Sequence, residues 1–366
     1  MTDRRLEQER GRVRAIDVVR GFVMVVMTLD HASGAYNAGR VMSDGAAMVH
    51  PGTVLDPAQF LVRWVTHLCA PTFVFLAGVS LALSVARRRR AAVPAAQIDR
   101  DLAVRGGVLI VLELAWMSWV WRLGAPIQLG VLYAIGASMI AMIGLRRLSP
   151  GLVGSLGVMV IVAGDALRAP LDPATVLAAA TMTGGRLGDV IVLYPFVPWL
   201  GIMMLGWAIG TRLAGDGVRA RDWLALAGIA AVTFVVVRGL NGYGNAGLLR
   251  ADGSWLEWLH VSKYPPSVAY VGLELALAFG LLALAWRLPV ARPWTWLGVL
   301  GQTALFYYLL HVHVLKLGAV ALGLYKTGGL GTVAVAWLAV LVALYPACRW
   351  YLGLKRRHPL SVLRFL

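Results

Sequence analysis

About ten apolar stretches, each near the twenty residues that a bilayer requires, recur along this chain. Basic clusters separate them on alternate sides. Backbone groups inside hydrocarbon must be satisfied within the protein, so stretches of this length read as helices. Their approximate limits are 13–31, 64–86, 103–121, 126–145, 151–167, 194–213, 223–240, 266–286, 296–317 and 331–352. Of 366 residues, 59% are hydrophobic and 14% charged, which excludes a soluble enzyme. The predicted fold is an all-α polytopic membrane bundle, a single domain over 1–366. No sustained internal repeat and no appended soluble domain is visible. Two of the shorter spans, 151–167 and 223–240, are the weakest members of the set.

The loop 87–105 holds Arg87 to Arg90, Arg100 and Arg105, and is read as cytoplasmic by the positive-inside rule. Arg146, Arg147, Arg212, Arg219, Arg221, Arg287 and the tail Lys355-Arg356-Arg357 fall on the same side. An even number of spans then puts both termini in the cytoplasm. The net charge of +16 suggests nucleic acid, but this alternating distribution argues against such a partner. The N-terminus, basic and then apolar, resembles a signal peptide. The apolar run carries Asp17 and Arg20 and no small-residue cleavage site follows, so it is read as a retained first helix. Cys69 and Cys348 are expected near opposite faces, too far apart for a disulfide. Three long loops, 32–63, 168–193 and 241–265, lie outside the cytoplasm in this topology, and 174–182 is a candidate short helix. Trp116, Trp119, Trp121, Trp255, Trp258 and Trp296 gather near helix ends, as interfacial belts do.

Polar residues inside these spans carry the functional signal, because a charge near the bilayer centre costs about 2.5–3.5 kcal/mol on insertion scales. In the first span, Arg20 and His31 share one helical face about 16 Å apart, and Asp17 flanks the stripe. Asp30 precedes His31; a carboxylate beside a histidine fixes its tautomer and stabilises the imidazolium of a general base. An interfacial histidine facing headgroups is the bland alternative. In the second span Arg63 and His67 are four residues apart, on one face, just before Pro71. In the ninth, His311 and His313 point to opposite sides; His311, in line with Tyr307 and Tyr308, is favoured toward the interior. No ligand set at zinc spacing accompanies them, and no metal is expected. Glu113 and Glu274 fall mid-span and each needs a partner or a proton, with Arg20 one candidate. The loop His260-Val-Ser-Lys-Tyr-Pro-Pro-Ser267 and the segment Tyr194-Pro-Phe-Val-Pro-Trp-Leu-Gly201 set rigid prolines and aromatics at the outer face. There is no Walker A sequence, no Gly-x-Ser-x-Gly elbow and no His-Glu-x-x-His.

Arg14-Ala-Ile-Asp-Val-Val-Arg-Gly21 with Leu-Asp-His31, Thr66 to Gly78, Tyr194-Pro-Phe-Val-Pro-Trp199, Lys263-Tyr-Pro-Pro-Ser267 and Leu305 to His311 resemble the bacterial DUF1624 membrane proteins. These group with the heparan-alpha-glucosaminide N-acetyltransferase catalytic family. The resemblance runs from Arg14 to about Tyr351 and is specific in combination. It implies a bacterial inner-membrane acyltransferase that moves an acyl group, acetyl above all, from cytoplasmic acyl-CoA to an acceptor across the membrane. Arg20 and His31 are similar to the early arginine and histidine of acyltransferase-3 members. The lysosomal acetyltransferases differ: an Asn stands where His31 is, an acidic residue where His67 is, and their essential histidine lies in the intervening loop. His50 is the only histidine in that loop here.

Residues and resemblance together give one scheme. Acetyl-CoA docks from the cytoplasm with its phosphates near the basic loops and Arg20, with Asp17 and Arg105 the other candidate cofactor-binding residues. His31 with Asp30, helped by His67 and His311, supplies the base. His311 or a tyrosine such as Tyr308 holds the oxyanion, while Arg63, Lys263 and Tyr264 hold a sugar, glycan or lipid acceptor. A transporter of a small solute or lipid is the second reading, and a non-catalytic membrane partner the third. Small-residue helix faces fit a homodimer as well as internal packing.

Overall fold

The computed structural model describes residues 3–49, 53–122, 127–215, 217–288 and 295–358; His50 lies outside them. Helices account for 73% of the described residues. In order these are α1 (Asp3–Tyr36), α2 (Pro57–Trp64), α3 (Cys69–Arg90), α4 (Ala95–Leu112), α5 (Ser118–Arg122), α6 (Val131–Leu145), α7 (Pro150–Val162) and α8 (Gly164–Arg168). They continue with α9 (Val176–Ala178), α10 (Phe196–Ala214), α11 (Ala220–Leu240), α12 (Trp255–Leu259), α13 (Val268–Arg287), α14 (Thr295–Gln302), α15 (Ala304–Ala321) and α16 (Leu330–Arg357). Residues 174–182 form the single turn α9 followed by a π-helical turn, Ala179–Thr183.

Seven helical units among the described residues are long and apolar enough to cross a membrane: Pro57–Arg90, Ala95–Trp121, α10, α11, α13, α15 and α16. The other three expected spans differ for physical reasons. Asp17, Arg20 and Asp30 interrupt the apolar part of α1, although its 34 residues are ample. Helices α6 and α7 have only 15 and 13 residues. The sequence reading also missed a small sheet, in which β1 (Ile127–Leu129) pairs parallel with β3 (Val190–Val192), and β3 antiparallel with β2 (Gly185–Leu187). Strands of three residues carry too little periodicity to be read from sequence. Cys69 and Cys348 are both free and buried.

Helices α3, α10 and α13 are central, whereas α11 and α16 are mostly exposed on the rim. The central crossings are glycine contacts. A Cβ on Gly78 would lie 2.1 Å from the Met203 carbonyl, and one on Gly206 the same distance from that of Phe75, so α3 and α10 touch backbone to backbone. At the α1–α14 crossing, a Cβ on Gly21 would lie 1.9 Å from Leu297 O and one on Gly301 1.9 Å from Asp17 O. Lipid tails are as apolar as leucine, so helices associate by such close packing. Here the small residues serve contacts within one chain.

Helix ends carry their sequence signatures. Asp56 caps α2 through Gln59 N, with Pro57 at the first helical position, and Ser149 with Pro150 does the same for α7. Pro71 has no N–H to give the carbonyl four residues back, which is that of His67. The Tyr270 hydroxyl donates to that carbonyl instead, at 3.0 Å. The break between α2 and α3 is thus satisfied from α13.

Candidate functional site

Two polar centres flank the buried length of α1. At one end Arg20 bridges three helices. Its guanidinium donates to Asp17 Oδ1 at 3.1 Å, to Ser80 Oγ on α3 at 2.8 Å and to the Gly301 carbonyl on α14 at 3.4 Å. The last contact exists because Gly301 lets α14 meet α1 at Asp17. Arg105 on α4 and Lys355 on α16 lie within electrostatic reach of Arg20. Three helices, α1, α4 and α16, thus bring cations to one place. Arg146 and Arg147 pair with Asp99, and Arg88 with Asp101.

At the other end, His31 stacks on His311 of α15, with Nδ1 of His31 2.6 Å from Nε2 of His311. His311 Nδ1 lies 2.9 Å from the Tyr307 carbonyl. A carbonyl only accepts, so His311 carries its proton on Nδ1 and offers a lone pair at Nε2. His31 therefore donates from Nδ1, and its Nε2 is left as a lone pair. That nitrogen is 4.0 Å from Asp30 Oδ2. Trp121 meets the His31 ring edge-on at 4.8 Å, and Tyr308 approaches at 6.2 Å. The Tyr307 ring stacks under His311 while its hydroxyl bonds Thr28 at 2.8 Å.

This corrects two expectations. Asp30 does not fix the tautomer of His31; His311 does. Both nitrogens of His311 are engaged, so it has no donor left for an oxyanion. Asp30 instead accepts from Arg63 Nη1 at 2.5 Å and from Arg40 Nη2 at 2.8 Å.

Arg63 turns its other edge to Asp44. Nε reaches Oδ1 and Oδ2 at 3.1 and 2.8 Å, and Nη2 bonds Oδ2 as well. His67 Nε2 contacts Asp44 Oδ1 at 2.9 Å. Arg63 and His67 thus meet on one carboxylate, that of Asp44. Arg63, gripped by Asp30 and Asp44, is spent internally and cannot hold an acceptor as expected. Burial alone would raise the Asp44 pKa, but the Arg63 guanidinium and His67 outweigh it and hold that carboxyl well below the usual carboxylate range.

The loop bearing Asp44 is clamped to the loop after α12. Lys263 N and Tyr264 N donate to the Asp44 carbonyl at 2.7 and 3.0 Å, and His260 Nε2 contacts the Ser43 carbonyl at 2.6 Å. A Cβ on Gly45 would sit 2.3 Å from Tyr264 O. Lys263 is buried within this clamp, its ammonium 5.2 Å from the centre of the Tyr264 ring. The Tyr264 hydroxyl bonds that of Tyr194 at 3.3 Å.

Residues 12–242 match the family model of heparan-alpha-glucosaminide N-acetyltransferase, catalytic, well over half of the chain. The chain belongs to that family. No curated protein matches it. The matched residues of this transmembrane acetyltransferase family include Arg20, Asp30, His31, Asp44, Arg63 and His67, and end before Lys263, Tyr308 and His311.

Two of the remaining polar residues expected to carry chemistry, Glu113 and His313, pack against structural neighbours. Glu113 does not reach Arg20: its Oε2 accepts from Leu132 N at 2.8 Å and Tyr133 N at 3.3 Å, capping α6 from a π-helical turn. His313 is packed between Trp116 and Trp119. Glu274, buried in α13, has neither oxygen hydrogen-bonded among the described residues.

Arg238, which the sequence reading passed over, braces the outer loop. It is fully buried, and its five N–H donors reach Trp258 O, Asn245 Oδ1, Leu248 O, Glu257 O and His260 O at 2.6 to 3.3 Å. Lysine has three donors and cannot reproduce this fork. Arg238→Lys is therefore expected to leave at least two buried acceptors unpaired, at about 1–3 kcal/mol each. A clear drop in thermal midpoint of the detergent-solubilised protein checks this; an unchanged midpoint would contradict it.

Proposed function

We propose that this chain transfers an acetyl group from cytoplasmic acetyl-CoA, across the bacterial inner membrane, to an amine or hydroxyl of an extracytoplasmic acceptor such as an amino sugar, a glycan or a lipid headgroup. The observation that carries this reading is the lone pair on His31 Nε2, held by His311 and beside Asp30. Membership of the acetyltransferase family supports the reaction class. In the matching topology, α1, α6 and α7 join the seven apolar units as spans, both termini are cytoplasmic, and the Arg20 end faces the cytoplasm.

In this reading Arg20, Arg105 and Lys355 receive the phosphates of the donor, and Asp17 and Ser80 hold Arg20 in place. Residue spacing puts Arg20 and His31 about 16 Å apart, within reach of an extended pantetheine arm. Met24 and Met27 lie on the same face between them and are both buried. Methionine is unbranched and adaptable, so this layer can yield to a thin chain where a branched residue would not.

His31 Nε2 takes the proton of the acceptor N–H or O–H as that atom bonds to the thioester carbon. Asp30 stabilises the imidazolium so formed. Tyr308 donates to the oxyanion. When the C–S bond breaks, the imidazolium returns its proton to the departing CoA thiolate. Atoms and protons balance without a covalent enzyme intermediate.

Arg20→Ala is expected to weaken CoA binding about tenfold or more, the worth of one lost charge-assisted contact to phosphate. Calorimetry on the solubilised protein reads this. Unchanged affinity would remove Arg20 from the donor site.

A further inference from the structure

We infer that the acceptor bears an anionic group, carboxylate or phosphate, beside the amine or hydroxyl that is acylated, and that Lys263 receives it; this rests on the transfer reading above. The chain closes its other buried and half-buried cations on partners. Arg63 closes on two aspartates, Arg40 on Asp30, and Arg238 on five acceptors. Lys316 bonds the Trp121 carbonyl. Lys263 is the exception: its residue is 4% exposed, yet among the described residues its ammonium has no hydrogen-bond or ion-pair partner.

The backbone at Lys263 is held fast. Lys263 N is tied to the Asp44 carbonyl, and the chain doubles back to pair Lys263 with Pro266. The ammonium lies within electrostatic reach of His31, Asp30, His67, Cys69 and Glu274. Asp30 pairs with Arg40 and Arg63 through Oδ1, and among the described residues neither it nor Glu274 closes on Lys263 as an ion pair. A cation on so buried a residue, with no partner, is poorly solvated, and an arriving anion supplies the missing contact. Lysine suits this task as a compact point charge that accepts carboxylate or phosphate without a fixed approach. Because the same cation faces His31, the anion and the nucleophile must sit on one small molecule or one residue of a glycan. Trp121 and Tyr308 stand beside His31 and Tyr264 beside the Lys263 ammonium, aromatic faces that fit a sugar ring carrying both groups.

The test measures binding to the full-length solubilised protein by calorimetry, with glucosamine, glucosamine 6-phosphate and muramic acid as probes. The two anionic sugars are expected to bind about 10–100-fold more tightly than glucosamine, the range for a hydrogen bond to a charged group. The phosphate and carboxylate arms identify which anion is preferred. Lys263→Met should bring the ratio of anionic to neutral affinity close to one, and Lys263→Arg should retain part of it. Equal affinity of the wild type for all three sugars, or an equal loss for all three in Lys263→Met, would overturn the inference. Should Lys263→Met not fold, the wild-type ratio and Lys263→Arg decide. Release of free CoA from acetyl-CoA separates this from the transfer reading. Tight binding of anionic sugars with no CoA released counts against transfer alone, and release with glucosamine only counts against the anionic acceptor alone.

Discussion

Replacing His31 by alanine is expected to lower acetyl transfer by about 10²–10⁴-fold, the range a positioned general base contributes. The expectation follows from a count of lone pairs rather than from proximity. Tyr307 O fixes the proton on His311, His311 fixes the proton on His31, and one basic nitrogen remains beside Asp30. CoA binding should persist, because Arg20 lies more than three turns away along α1. A second variant separates base from scaffold. His311→Gln keeps an acceptor opposite His31 but loses the ring stack, so it should reduce turnover less than His31→Ala. If His31→Ala turns over at the wild-type rate, His31 is not the base.

The second large effect belongs to Asp44. Arg63, His67 and the backbone of Lys263 and Tyr264 all converge on it. Asp44→Ala leaves the buried Arg63 with one carboxylate instead of two, and breaking a buried pair in this way costs roughly 3–5 kcal/mol. Thermal unfolding of the solubilised protein should read that loss, with activity falling alongside because Arg63 also orients Asp30. The pH dependence has a definite sign. Asp44 titrates lower in the folded protein than in the unfolded chain, so its stabilisation is complete above about pH 4 and fades as pH falls through the folded value. Wild type and Asp44→Asn should therefore differ by a constant amount between pH 5 and 8 and converge only in stronger acid. A difference that vanishes near neutrality would contradict the ion-pair account.

The sequence carried much of this and omitted the pairings that join distant segments. Apolar length fixed where most helices run, and Pro71 announced the break whose free carbonyl Tyr270 takes up. Asp44 was within reach of the same reasoning. Arg63 and His67 need an acid, the neighbouring loop holds only Asp44 and Asp56, and Asp56 before Pro57 reads as a helix cap. Arg40 had no such signal, being one arginine in an irregular loop. His311 was favoured over His313 by its helical alignment with tyrosines, but its contact with His31 spans 280 residues and no local pattern encodes it. Glu113 misled for the opposite reason. A mid-span carboxylate suggests a cation, whereas the exposed N–H groups at the start of α6 satisfy it equally well. Arg238 was invisible because its partners are carbonyls, which every residue has.

The central claim is that an acetyl group enters from the Arg20 end and leaves at the His31 end. The most direct test encloses an amino sugar inside proteoliposomes of one protein orientation, with the Arg20 end outward, and adds labelled acetyl-CoA outside only. The account predicts labelled acceptor trapped in the lumen, abolished by His31→Ala. Labelling only when donor and acceptor share one compartment would contradict it.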